Sequence, residues 1–340
     1  MTTQLDSQIG YKKETTYGTA VTPDKFPEFT NSTAAWEPER TSGSGLRVGR
    51  IMDRADRRSL TSEVSSGSFD VEPKSKGLLQ LFEGVLGTGA VTQVSGAAYQ
   101  GLFTPKTSDY LPSYTIQTGT PLIGGAISPV TFAGAMFQGF HFTAGNKSAP
   151  KLTFDWMAQS YSTATALATA SYLTGDVPFD WPGVYCRIGG SVTVPTATAL
   201  ASGGTSVANV KDFSLDWSNG LDTEGFNMGG GGKRSRAQLL GKRVGTGTIT
   251  AEWDATTYRD AFLADTSLPL VIGFALPTAI AGSNYPTMEF TIPCLKLEGE
   301  LAKPTDDGAP ITQSMNYTIY DDGVAASPLY VAIVTAETSL

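Results

Sequence analysis

From Gly247 onward, polar and apolar residues alternate: Thr248, Thr250 and Glu252 point one way, and Ile249, Ala251 and Trp253 the other. A period of two predicts a half-buried strand. After Asp254 the apolar residues Tyr258, Ala261 and Phe262 recur at helical spacing, which predicts a short helix capped by Asp254. The stretch GSFDVEPKSKGLLQLFEG, Gly67 to Gly84, makes the same turn: a strand, then Asp70, then a short helix with Leu78, Leu81 and Phe82 facing inward. Aligning Phe69 with Trp253 and Phe82 with Phe262 leaves a small length difference that the EPKS segment at Glu72 absorbs.

Around these two units the order of elements also repeats. The first half reads as a polar extended arm to about residue 25, a strand from Phe26 to Trp36, and a long basic connection. The strand and helix follow, then a variable loop, then strands within residues 113–119, 130–145 and 150–162. Residues 162–176 read as a linker. The second half replays the series with a strand at 210–221, a glycine-bearing basic connection at 225–245, the strand and helix, and strands within 268–276, 287–302 and 311–322. A mainly β chain of two lobes, residues 1–175 and 176–340, is therefore predicted, each with a short helix on one flank.

Composition narrows the function. Charged residues make up 16% of the 340, with 38 Gly and 19 Pro, which suits short strands joined by many turns. A net charge of -8 argues against tight binding to DNA or RNA, since neutralising phosphate needs a basic surface. The N-terminal MTTQLDSQIG has neither a basic start nor an apolar core, so no secretion signal is expected. The apolar run from Leu268 to Gly282 is shorter than the roughly 20 residues of a membrane helix and reads as a buried strand and its turn. Cys186 and Cys294 are far apart, without a CxxC pair, and read as two buried thiols.

Charge is also segregated along the chain. Arg47, Arg50, Arg54, Arg57 and Arg58 fall in the first basic connection, and Lys233, Arg234, Arg236, Lys242 and Arg243 in the second. These ten belong to 24 Lys and Arg, whereas the same windows hold only Asp53 and Asp56 of 32 acids. Two cationic loops on an acidic body would steer head-to-tail self-association. Solvated surface loops are the plainer reading of the same residues.

Catalytic chemistry is thin. His141 is the one histidine and sits between Phe140 and Phe142, which leaves a nucleophile–His arrangement with no motif. GGGGKRS at Gly229 fails the phosphate-loop spacing, with Asn227 at the earlier glycine position and Arg234 after the lysine. GSGLRVG at Gly43 lacks dinucleotide-loop spacing. No enzyme, cofactor or metal is expected.

Three stretches carry a family resemblance: IGYKKETTYGTAVTP from Ile9, DWPGVYCRIGGS from Asp180, and the long run from Val210 to Leu263 that includes GGGGKRSRAQLLGKRVG. In order and spacing the chain resembles the major tail tube proteins of long-tailed, siphovirus-type bacteriophages. The resemblance implies lobes of two packed antiparallel β-sheets, as a sandwich or partial barrel with a short flanking helix, assembling into homo-oligomeric rings that stack into a tube. It further implies that the ten basic residues and the arm around Tyr11 to Pro23 contact the next ring. Implied partners are the tape measure, tail terminator and distal tail or baseplate proteins, with double-stranded DNA passing through the lumen unbound and no membrane involved. Location in the virion tail, after assembly in the host cytoplasm, follows from the same resemblance.

Such families place six single-lobe chains in a ring, so a two-lobed chain is expected to form a trimer with pseudo-sixfold symmetry, with a hexamer as the alternative. If each lobe gives about four strands to a shared barrel, about 24 strands tilted by about 40° enclose a backbone diameter of about 48 Å. Two other classes stay open on sequence: a β-rich virion decoration or adhesin domain that binds a host glycan, and a carboxylate hydrolase.

Overall fold

A computed structural model describes residues 3–49, 51–108, 110–299 and 310–340. The first half carries β1 (Gln8–Lys13), β2 (Asn31–Ser42), β3 (Arg58–Val71), helix α1 (Leu79–Leu86), β4 (Gly87–Ser95), β5 (Ala98–Pro105), β6 (Tyr114–Pro121), β7 (Ile127–Ala144), β8 (Lys151–Ala158) and β9 (Ser160–Ser162). The second half carries β10 (Val184–Ile188), β11 (Val192–Thr193), β12 (Ser202–Gly203), β13 (Ser206–Val207), β14 (Val210–Ser218), β15 (Val244–Glu252), helix α2 (Thr257–Leu263), β16 (Leu268–Ala275), β17 (Thr287–Gly299), β18 (Thr312–Ile319) and β19 (Tyr330–Thr335). The fold is mainly β, in large antiparallel sheets packed like a sandwich.

One run of strands organises the molecule. Hydrogen-bonded neighbours follow the order β2–β3–β8–β7–β14–β15–β18–β17, all antiparallel, with four strands from each half. Successive side chains point to opposite faces, so alternate positions of these strands build the core. Phe69 and Val71, Phe154 and Trp156, Phe140 and Phe142, Leu215 and Trp217, Ile249 and Ala251, and Met315 and Tyr317 are all buried. A second layer lies across this face. It comprises β1, β6 and β9 on the N-terminal part of β7, and β10, β16 and β19 on the N-terminal part of β17.

The long strands β7 and β17 belong to both layers. β7 pairs with β6 and β9 as far as Ala135 and with β8 from Met136 onward. At the bend Gly134 takes φ +67, a left-handed backbone that a glycine adopts without steric cost.

The halves repeat in register. In the first, the Thr33 and Ser68 hydroxyls bond at 2.8 Å and Ser68 N–H donates to Thr33; in the second, Ser214 and Thr248 do the same, again at 2.8 Å. A Cβ on Gly67 would meet Thr33 O and the Trp156 ring, and one on Gly247 would meet Ser214 O and the Tyr317 ring. Trp36 in β2 thereby matches Trp217 in β14, and Phe69 matches Ile249. Trp253 is not the counterpart of Phe69, and no length difference remains between these strand positions and the matched Phe82 and Phe262.

The core is continuous across the halves. Phe82 of α1 sits at its centre with the rings of Phe103, Phe140, Phe154 and Phe290 at 5.6–6.2 Å, the last of these contributed by the second half. In α2, Tyr258 and Ala261 are buried while Phe262 stays half-buried at the edge of the core.

Several expectations are corrected. The first hairpin strand begins at Asn31 rather than Phe26 and continues through EPERTS to Ser42, because β3 pairs with it that far. The arm contains a core element: Ile9 and Tyr11 of β1 are buried, with Tyr11 opposite Ile116 of β6. The variable loop is the β4–β5 hairpin, and β5 pairs with β19, a strand that the sequence reading omitted. Neither aspartate caps a helix: Asp70 accepts from Thr153 at 2.7 Å, Asp254 accepts from Asn209 at 2.7 Å, and the N-cap of α2 is Thr256. The strand expected to reach Ala302 is described to Gly299, and its remainder lies outside the described residues. Cys186 and Cys294 are free and buried.

Replacing Phe82 with Ala should destabilise the monomer by about 3–5 kcal/mol, because the surrounding rings leave a cavity that cannot collapse. Phe262→Ala should cost about 1 kcal/mol, since its ring is already partly in water. Urea unfolding of the two variants measures the difference.

Candidate self-assembly surfaces

The outer face of the eight-stranded run is polar. Ser66, Ser68, Thr153, Thr143, Ser214, Thr248, Thr250, Ser314 and Asn316 occupy the positions opposite the core. Its charges are mostly acidic, with Asp70, Asp155, Asp212, Asp216, Glu252 and Glu298 against Lys151, Lys296 and Lys211, the last paired with Glu252 at 2.8 Å. His141 lies on this face where the halves join, paired in register with Asp216 and in side-chain contact with its carboxylate. Burial raises the Asp155 carboxyl above its ordinary value, and the nearby His141 opposes that shift. Among the described residues no group of three or more His, Cys, Asp or Glu could hold a metal ion. No helix among them is long and apolar enough to cross a membrane.

The run has two open ends. Among the described residues, β2 pairs only with β3, and the C-terminal part of β17 only with β18. β2 is exposed along most of its length, in contrast to its counterpart β14, where Phe213, Leu215 and Trp217 are buried beside β7. Trp36 is half-buried, stacked on Tyr161 at 5.1 Å with its indole N–H donating to Glu63 at 2.9 Å. An edge strand of this length with unpaired backbone groups is a template for pairing with another chain.

Both basic connections leave the same end of the sheet, since β2 and β14 run in the same direction within the antiparallel order and each is followed by its loop. They are held very differently. In the loop 43–57, Arg47 and Arg54 are exposed, Arg54 in contact with Asp56, and Arg57 donates to Ser44 O at 3.0 Å within the loop itself. Arg58, the first residue of β3, is also exposed. Leu46, Val48 and Ile51 are fully exposed and Met52 is 83% exposed. Arg50 lies outside the described residues.

The loop 219–243 is instead folded onto the first half. Asn219 is fully buried and its side chain donates to Val85 O at 2.7 Å and Phe137 O at 3.1 Å. Leu221, Ala237 and Leu240 form a small apolar cluster with Leu111, Met136 and Tyr17. Arg234 is only 2% exposed; it donates to Thr223 O at 2.9 Å and Ala158 O at 3.4 Å, and lies over the Phe226 ring. Burial pulls its pKa below the usual guanidinium value. Lys233 reaches Glu63 at 3.3 Å, and Gly232 O accepts from the Glu63 N–H at 2.9 Å. Arg236 binds Asp222 at 2.5 Å and holds that carboxyl below its ordinary range, while Arg243 donates to Lys106 O. Lys242 remains exposed. Sequence spacing grouped all ten basic residues as equals. It missed the anchoring by Asn219 and Glu63, and the signal that could have revealed the equivalence of the loops is the Trp36–Trp217 match.

A polar-faced sheet with open edges and no cluster of metal-ligating residues among the described residues has the features of a structural protein. A family model described as phage tail tube protein matches residues 4–319, and the chain belongs to that family. Membership makes it a structural protein of the virion tail. No curated protein matches the chain.

Arg234→Ala should destabilise the monomer by about 2–4 kcal/mol, because it removes the packing of a buried guanidinium together with its bonds to Ala158 O and Thr223 O. Arg47→Ala should change stability by less than about 0.5 kcal/mol. Thermal unfolding of the two variants separates the buried cation from the exposed one.

Proposed function

We propose that three copies of this chain close into a ring lined by the eight-stranded run, and that rings stack into the tail tube of a siphovirus-type phage. The observation that carries this reading is a sheet with four strands from each half, one apolar face, one polar face and two open edges. Three such sheets supply the 24 strands of a barrel wide enough for a DNA duplex, with each chain standing for two single-lobe subunits across residues 1–175 and 176–340. A hexameric ring is the alternative count. Closure joins the edge of β2 to the edge of β17 in the neighbouring copy and removes both exposed edges.

Function is mechanical rather than catalytic in this reading. The acidic balance of the polar face repels phosphate, so the genome slides through during ejection without sticking. The cationic end formed by both basic loops meets the acidic body of the next ring, so stacking is steered by charge and weakens with salt. Tape measure protein inside the tube, and terminator and distal tail or baseplate proteins at its ends, complete the assembly in the host cytoplasm.

Negative-stain microscopy at rising protein concentration tests the reading. Hollow tubes whose end-on averages show threefold symmetry are expected, and sixfold averages would replace the trimer with the hexamer. A monomer at every concentration, or a reconstruction with a strongly positive lumen, would overturn the proposal.

A further inference from the structure

The two halves are alike in register but not in occupancy. On the first half, the end of the sheet near Met136 and Gln159 is covered: the loop 219–243 lies there, with Leu221 against Met136 and the Gln159 amide donating to Arg234 O at 2.6 Å. Counting from the matched Trp156 and Tyr317, the corresponding residues of the second half are Lys296 and Tyr320. They line an open groove of about 530 Å³, together with Asp265, Cys294, Asp321 and Asp322. The loop that corresponds to 219–243 is 43–57, and its described residues are exposed, Arg57 partly, and bonded only to one another within the loop. One half thus has a seat filled by a loop from the adjoining half, and the other has the seat empty and the loop unseated.

Charge and polarity fit the missing contact. The unseated loop offers Arg47, and Arg54 in contact with its own Asp56, beside the fully exposed Leu46, Val48 and Ile51. Among the described residues the groove offers three carboxylates against one cation, Lys296, which is already held by Asp265 at 2.5 Å. Asp321 and Asp322 accept backbone N–H groups of their own turn, which fixes both carboxylates in place at the rim. Tyr320, 44% exposed, adds an apolar ring to the groove lining.

Resting on the ring reading above, we infer that the loop 43–57 is a lateral clasp: within one ring it folds onto the Lys296–Asp322 groove of the neighbouring copy, as 219–243 folds onto the first half of its own chain. The occupant is a second copy of this chain, and the internal clasp is the template for the contact. The loop then closes the ring before it takes part in any contact with the next one. Its remaining exposed cations still contribute to the cationic end, as Lys242 does in the internal clasp.

The test separates ring formation from stacking. Wild-type protein, the double variant R47E/R54E, the double variant D321N/D322N, and the charge swap R47E/R54E/D321K/D322K are compared by sedimentation velocity and native mass spectrometry, at concentrations where rings form but do not stack. Thermal unfolding of each monomer confirms that the exposed substitutions leave the fold intact. R47E/R54E should raise the concentration at which half the chains are in rings by about tenfold, D321N/D322N by less, and the swap should restore much of the loss. Asparagine keeps the oxygen that accepts the turn N–H groups, so D321N/D322N reads charge alone. Rings that form normally in R47E/R54E, with only stacking lost, would overturn the clasp and leave the ring reading standing. Weakening that the swap fails to relieve would overturn the groove as the seat. A wild-type chain that forms no ring would overturn both.

Discussion

The backbone pairing of β7 with β14 is the constraint on which the rest depends. From Phe213 opposite Ala144 to Ser218 opposite Gly139, it is the seam that makes two four-stranded runs into one sheet. Without it each half would present one more free edge, and the aromatic cluster around Phe140, Phe142 and Phe290 would be divided. Because β7 matches β17 and β14 matches β2, the seam also describes the junction that the free edges lack. A chain with such an internal junction carries a pattern for joining to its own copies, and backbone pairing supplies it without new side-chain chemistry.

The seam also explains why matched residues have different surroundings. Trp217 is buried because β7 lies beside its strand, while Trp36 at the matched position has only β3 and finds Tyr161 and Glu63 instead. Arg234 is buried because its loop has a surface to fold onto, while Arg47 in the matched loop has none within the chain. Exposure of Leu46, Val48, Ile51 and Met52 together on one loop is costly for an isolated molecule.

Electrostatics are arranged around the same geometry. Acidic residues dominate the polar face, and ten of the 24 Lys and Arg fall in the two basic connections at one end of it. A surface of mostly acidic residues repels polyanions, and a loop rich in exposed cations attracts acidic surfaces. The contrast between loop and body gives the chain a direction along the axis of the sheet.

Much of the architecture was readable in the sequence because it is local. The period of two from Thr246 to Glu252, the switch to helical spacing at Tyr258, and the recurrence of strand, basic loop, strand and helix all depend on near neighbours. The ten cations were legible for the same reason. Three-dimensional packing decided the rest. The burial of Ile9 and Tyr11 in an arm that reads as polar, the seating of Arg234 against Ala158 and Gln159, and the pairing of β5 with β19 all arise from contacts between residues at least 75 positions apart. Residue order alone specified two similar units, and only the folded chain decided that one of them is covered and the other is not, since coverage depends on which strand lies beside which.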